Sequence, residues 1–225
     1  MKEKTIDLNK WKRKNVYNNF IKYTNPSLSV TSRIDVTGIY KWCKNKNKSF
    51  YSTFLYIVTK VMNEIEEFRI RIKKGKIVLF DIVNPNYIVL NNNDVIVPVI
   101  TPWKEDFLYF YDSTRRDIIN ARENDKAVSF TDYMPLDCIY FSCLPWIDFT
   151  EVSNPYNNDD KDISSIPRVI WGKVVSEDEK FKVALSISVN HALIDGEPVS
   201  KAYLKIQKYV DDFKLIIEGC GVDEG

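Results

Sequence analysis

Residues 181–189 alternate without interruption. Val183, Leu185, Ile187 and Val189 interleave with Ala184, Ser186, Ser188 and Asn190. That period of two is the side-chain period of a β-strand. Such a strand has an apolar face and a small, polar face, and the first needs a covering layer. Helical patterns elsewhere supply candidates. In 49–66, Phe50, Phe54, Ile57, Val58, Val61, Met62 and Ile65 fall near helical spacing. Residues 106–124 gather Phe107, Phe110, Tyr111, Ile118 and Ile119 on one side, and 197–217 reads as a closing helix with Gly219 as its stop. Further strands are expected at 76–83, 87–90, 95–100, 138–143 and 169–175, with a turn at Asn91–Asn93. Residues 154–165, NPYNNDDKDISS, read as a surface loop. The elements mix without a repeated βαβ rhythm. This favours an α+β fold, a two-layer sandwich of a mixed sheet with helices, over a doubly wound parallel sheet. Residues 1–225 are read as one domain.

Composition then removes several functions. The 225 residues include one histidine, so a His-rich metal site is excluded and any histidine base must be that residue. Lys+Arg is 32 and Asp+Glu is 31, a net charge of +1 that gives no electrostatic case for a nucleic-acid partner. Among seven glycines there is no phosphate-binding loop and no dinucleotide fingerprint. Cys43, Cys138, Cys143 and Cys220 lack C-x-x-C spacing, so zinc-ribbon and redox readings are weak. The first fourteen residues lack an apolar signal core, and no stretch has the apolar length of a membrane span. A reducing cytoplasm with free thiols is expected, with no metal and no permanently bound cofactor.

The lone histidine, His191, follows the end of the alternating strand. Asp195 stands four residues on, with Gly196 beside it. A strand end followed by a tight turn can present a side chain in a cleft, and histidine is the residue type suited to proton transfer near neutral pH. On this spacing alone a hydrogen-bonded structural histidine is the commoner reading.

The wider sequence carries a resemblance. SISVNHALIDGEPVSKAYLKIQKYVDDF resembles the C-terminal segment of the chloramphenicol acetyltransferase family, whose signature is HHxxxDG followed by a long helix. WKRKNVYNNF from Trp11 is similar to its N-terminal W-x-R-[KR] segment, and SVTSRIDVT at 29–37 to its S-[LV]-T-S-[KR]-I-D segment. KSFYSTFLYIVTKVMNEIEEFRIRIKKGKIVLFD resembles its FYP helix, the N-x-x-x-E-[FL]-R-[MI] turn and the next strand. FSCLPWIDFT is similar to S-x-x-P-W-x-x-F. These matches keep the family's order from about residue 7 to 213.

The resemblance implies an acetyl-CoA-dependent O-acetyltransferase and a homotrimer with active sites between subunits. It implies chloramphenicol as acceptor, hence antibiotic resistance. His191 would be the general base in a direct transfer with both substrates bound. Ser142 would donate to the oxyanion, and Asp195 would pair with Arg13 to tie the first segment to the catalytic loop. Tyr51, Pro145, Trp146 and Lys173 would contact the co-substrate, the aromatics reading equally as core. Phe20, Leu28 and Ile170 would face the acceptor. The chain also departs from the pattern. Asn190 replaces the first histidine of HHxxxDG, and Ile170 stands where a threonine is usual. Phe20 falls where tyrosine or phenylalanine is often held, and Leu28 where phenylalanine is. Val152 and Asn154 fall near two positions that are usually bulky and apolar. A different hydroxyl or amine acceptor, or a non-catalytic ligand-binding relative, stays open beside the first expectation.

Overall fold

The computed structural model describes residues 2–124, 134–157 and 159–218. In chain order the elements are β1 (Glu3–Thr5), α1 (Lys14–Phe20), β2 (Ser27–Asp35), α2 (Thr37–Asn45), α3 (Phe50–Glu64), a 3-10 turn (Glu66–Arg69), β3 (Ile70–Lys73), β4 (Lys76–Phe80), β5 (Asn84–Leu90), β6 (Ile96–Ile100), α4 (Phe107–Arg122), β7 (Cys138–Cys143), α5 (Lys161–Ser164), β8 (Arg168–Trp171), β9 (Val175–Glu177), β10 (Lys180–Asn190), α6 (Gly196–Asp211) and α7 (Phe213–Glu218). Gly219 and Cys220 lie outside the described residues.

The alternating strand, β10, is the spine of the fold. It pairs antiparallel with β2 over nine residues, 182–190 against 35–27. On its other side it pairs antiparallel with β8 and, beyond that, with β9. The seven-stranded sheet runs β2-β10-β8-β7-β5-β6 with β9 also on β10. β7 is parallel to both β5 and β8, and the other pairs are antiparallel. A three-stranded sheet, β1-β4-β3, stands apart. The mixed sheet with helices fits the expected α+β class. Of the second sheet only β4, within the expected strand 76–83, has a counterpart in the sequence; β1 and β3 are too short to carry an alternating signal.

Val183, Leu185, Ile187 and Val189 are fully buried in the main core with Val169, Trp171, Ile139 and Phe141. Val199, Ala202 and Ile206 of α6 belong to the same core. So does α3, buried on nearly all sides from Ser52 to Met62. A helix apolar all round is one sandwiched between layers. Ser49 caps it, its hydroxyl accepting from the Ser52 amide at 3.3 Å.

The small, polar face of β10 is also buried, with Ser186 and Ser188 at 0% exposure. The stretch after β7 covers it. Phe149 packs with Ile170 and Ala184, and Val152 joins them. Asn154 donates to the Ser188 hydroxyl at 3.1 Å. Residues 154–165 are therefore more than a surface loop. Tyr156 lies 3.6 Å from the Arg168 guanidinium, Asp160 caps α5 through the Ile163 amide, and Ser165 accepts from the Ile72 amide. Asn154 and Tyr156 lie over polar residues of the sheet, whereas α5 packs against β3.

Two other boundaries differ. The expected strand 169–175 breaks after Trp171. At Gly172 a Cβ would meet the Ile147 carbonyl at 3.0 Å and the Phe149 ring at 3.1 Å, so the chain passes too close for a side chain. The closing helix breaks at Asp212, between α6 and α7.

Candidate functional site

His191 sits one residue beyond β10, held on three sides. Its amide donates to the Pro26 carbonyl at 2.7 Å. Its imidazole stacks on Phe20, with centroids 4.2 Å apart and planes 7° from parallel. Its Nδ1 faces Asp195 Oδ1 at 3.4 Å, shut away from solvent and without a hydrogen bond. The side chain is 29% exposed, so Nε2 is the nitrogen left for a substrate.

The turn that carries His191 is over-determined. Asn190 is buried; its side-chain oxygen accepts from the Ala192 amide at 3.0 Å, and its carbonyl accepts from Leu193 and Ile194. Asparagine here closes the turn through its own side chain. Arg13 Nη1 pairs with Asp195 Oδ2, and Arg13 Nη2 reaches Asp195 Oδ1 at 3.0 Å and the His191 carbonyl at 3.3 Å. The two-pronged grip is the arrangement guanidinium geometry favours. It ties the segment before α1 to the histidine turn, 182 residues away in sequence.

Ser142 lies elsewhere, near the C-terminal end of β7. It lines a cavity of about 660 Å³ together with Tyr51, Cys143, Pro145, Trp146 and Lys173. All four residues expected to touch the co-substrate are thus brought together with Ser142. Arg115 and Arg122, from α4, line the same cavity. They carry no signal in the sequence, because α4, which packs on β5 and β6, meets this cavity only in three dimensions. Apolar walls with three cations suit a long ligand carrying phosphates. Burial pushes the Cys143 thiol up to about 12. Tyr51 packs on Trp171 and Tyr87, so it serves the core as well.

A smaller cavity of about 220 Å³ meets the first at Ser142, with Asn86, Ile88, Tyr140, Asn154 and Arg168 among its walls. Ile170 lines neither cavity. It pairs with Ser142 across β7–β8, and its side chain is buried against Phe149 and Ala184. Phe20 lies on the histidine side, and so does Leu28, paired with Val189 in β2.

His191 and Ser142 do not meet within one chain. The register aligns Ser142 with Ile170 and Ile170 with Ser186. Five residues along β10 and two strand spacings across the sheet then separate them by roughly 20 Å. Among the described residues, no cluster of three or more His, Cys, Asp and Glu could hold a metal ion. No helix among them is long and apolar enough to cross a membrane.

Comparison with known proteins places this geometry. The model of the chloramphenicol acetyltransferase family matches residues 1–207. A chloramphenicol acetyltransferase of Clostridium perfringens is 30% identical over 216 residues, 95% of this chain and 97% of that one. One of Proteus mirabilis is 29% identical over 218 residues, 96% of this chain and 95% of that one. A solved chloramphenicol acetyltransferase superposes with a TM-score of 0.85 at 27% identity, over 93% of this chain and 100% of that chain. The dihydrolipoamide acetyltransferase of Azotobacter vinelandii shares the fold, with a TM-score of 0.66 at 15% identity, over 90% of this chain and 88% of that chain.

Proposed function

The chain belongs to the chloramphenicol acetyltransferase family and is an acyltransferase, and from that premise we propose that it transfers an acetyl group from acetyl-CoA directly to an acceptor hydroxyl. His191 is the general base. The observation that carries this reading is how His191 is held: backbone tied to Pro26, ring stacked on Phe20, Nδ1 shut in beside Asp195. One ring nitrogen is left for chemistry.

In the proposed step, Nε2 of His191 takes the hydroxyl proton as the acceptor oxygen bonds to the thioester carbonyl carbon. The carbonyl oxygen becomes an oxyanion, to which the Ser142 hydroxyl donates. Collapse restores the carbonyl and breaks the carbon–sulfur bond. The proton on the imidazolium then passes to the departing CoA sulfur. A well-placed base contributes about 10²–10⁴-fold and one oxyanion donor about 3–4 kcal/mol. Lys173, Arg115 and Arg122 would face the CoA phosphates, while Tyr51, Pro145 and Trp146 would line its path. Asp195 and Arg13 position the histidine turn.

The roughly 20 Å between His191 and Ser142 supports a site built from two copies. A ring of three closes head-to-tail contacts of this kind, and a homotrimer is the proposed assembly. The reading has the protein work in the cytoplasm. Chloramphenicol is the acceptor to test first, since the relatives carry its name. A different hydroxyl acceptor is the second reading, favoured by Arg168 and Asn154 in the smaller cavity.

The test is thiol release from acetyl-CoA with and without chloramphenicol. Acceptor-dependent release, lost in His191→Ala while the fold persists, is expected. Release that survives in His191→Ala removes the histidine from the mechanism. No release with chloramphenicol but release with another alcohol decides for the second reading.

A further inference from the structure

We propose that the smaller cavity receives an acceptor bearing a negative charge, held by Arg168. The proposal rests on the reading that the acceptor occupies this cavity beside Ser142, and it narrows the acceptor's chemical class.

Arg168 opens β8 and pairs in register with Tyr140 of β7 and Ser188 of β10. It lines the cavity with Asn86, Tyr140, Ser142 and Asn154. It is 7% exposed. Its Nη1 is buried and has no hydrogen-bond partner among the described residues. None of the ion pairs among those residues includes it. Tyr156 stacks 3.6 Å from its guanidinium carbon, and Tyr140 lies at 5.8 Å. Those ring faces stabilise the cation in part and fix its plane. They leave a donor with nothing to donate to.

Arg71 is the contrast within the same protein. It is fully buried, and its three nitrogens donate to the carbonyls of Leu136, Phe68, Ile70 and Cys138. A structural arginine here is saturated by backbone. Arg168 is not, and a buried charge without counter-charge or full hydrogen bonding is costly. A carboxylate or phosphate in the cavity would supply the missing counter-charge. Tyr140 and Asn154 add polar groups to the same walls, whereas Ile88 and Pro98 keep one side apolar. The volume of about 220 Å³ suits a small hydroxylated acid. A neutral acceptor leaves the guanidinium unpaired.

The test compares benzoate with its neutral isostere benzamide, using the full chain with CoA saturating so that the cations of the larger cavity are occupied. Phenyl phosphate is the third ligand. Wild type should bind benzoate at least about tenfold more tightly than benzamide, as a charged hydrogen bond to a buried donor requires. Arg168→Gln should bring the pair to near equality, and Arg168→Lys should keep part of the preference. Phenyl phosphate binding above or below benzoate decides between phosphorylated and carboxylated acceptors. Equal binding of benzoate and benzamide to wild type overturns the proposal without any variant. So does an undiminished preference in a folded Arg168→Gln. Thiol release with chloramphenicol and no anion preference defeats this proposal alone. An anion preference with no thiol release from any alcohol defeats the acyl-transfer reading alone.

Discussion

The ring of Phe20 lies parallel to the imidazole of His191, 4.2 Å from it. Phe20 ends α1 while His191 follows β10, so a short N-terminal helix sets the plane of the one histidine. Removing the ring should leave the histidine in place and free it to tilt. Phe20→Ala should lower kcat about tenfold to a hundredfold, because small misplacements of a reacting group are expensive. Phe20→Tyr should recover most of the rate. An unchanged kcat in Phe20→Ala would mean that the stacking does not position the base.

Asp195→Asn keeps the side-chain shape and takes away the carboxylate from Arg13. Arg13 is nearly buried and Asp195 is 39% exposed, so solvent screens part of the loss. A destabilisation of about 1–3 kcal/mol is expected. Turnover should fall as well, since the same arginine holds the His191 carbonyl. Arg13→Lys should reproduce much of both effects by losing the second prong. Denaturant titration and kcat together check this; a variant as stable as wild type defeats the tie.

If each site takes His191 from one copy and Ser142 from the next, two dead variants should rescue each other. Equal co-expression of His191→Ala and Ser142→Ala subunits should restore about a quarter of the sites, since each interface draws its two members independently. Purified hybrids no more active than either parent would place both residues in one chain's site.

Cys143 neighbours Ser142 in the larger cavity, and burial holds its thiol near 12. At pH 7.5 less than about one part in ten thousand is thiolate, and the thiolate is the nucleophile. Acetyl-CoA without acceptor should therefore leave the protein unacetylated in intact-mass measurement, and Cys143→Ser should retain turnover. A mass increase of one acetyl group mapping to Cys143 would falsify direct transfer.

Burial opposes ionisation of Glu64, but hydrogen bonds from Lys205, Tyr209 and Lys60 outweigh it and lower its carboxyl below the ordinary 4.5. A depressed folded value favours folding above the unfolded value and loses that contribution as pH falls through the folded one. Glu64→Gln should cost about 1 kcal/mol near neutrality. The gap from wild type should narrow as pH falls below the ordinary 4.5 and through the depressed folded value. Urea titrations at pH 7, 5 and 3.5 check it; a gap that does not change with pH contradicts the coupling.

Several elements were legible because they are local. The period of two at 181–189 marks β10, Ser49 begins α3, and Asp106 begins α4, its carboxylate accepting from the Tyr109 amide. Spacing drew attention to His191 and Asp195, and the family resemblance implied their roles and added Arg13 and Ser142. Short strands such as β1 and β3 carry no periodic signal, and the roles of Asn154 and Tyr156 became visible only once Ser188 and Arg168 lay beneath them.

Local sequence patterns account for the elements that depend on neighbours in the chain, the family motifs in order, and the identity of the one histidine. The tertiary structure alone decided where those residues stand. Strand register sets Ser142 level with Ser186, five residues short of His191 and two strands across. Packing brings Phe20 onto the imidazole. It also leaves Arg168 buried beside a cavity with its Nη1 unpaired among the described residues. Local propensity acts over a few residues, whereas register, burial and unpaired charge arise from contacts between separate segments of the chain, from the 16 residues between Ile170 and Ser186 to the 171 between Phe20 and His191.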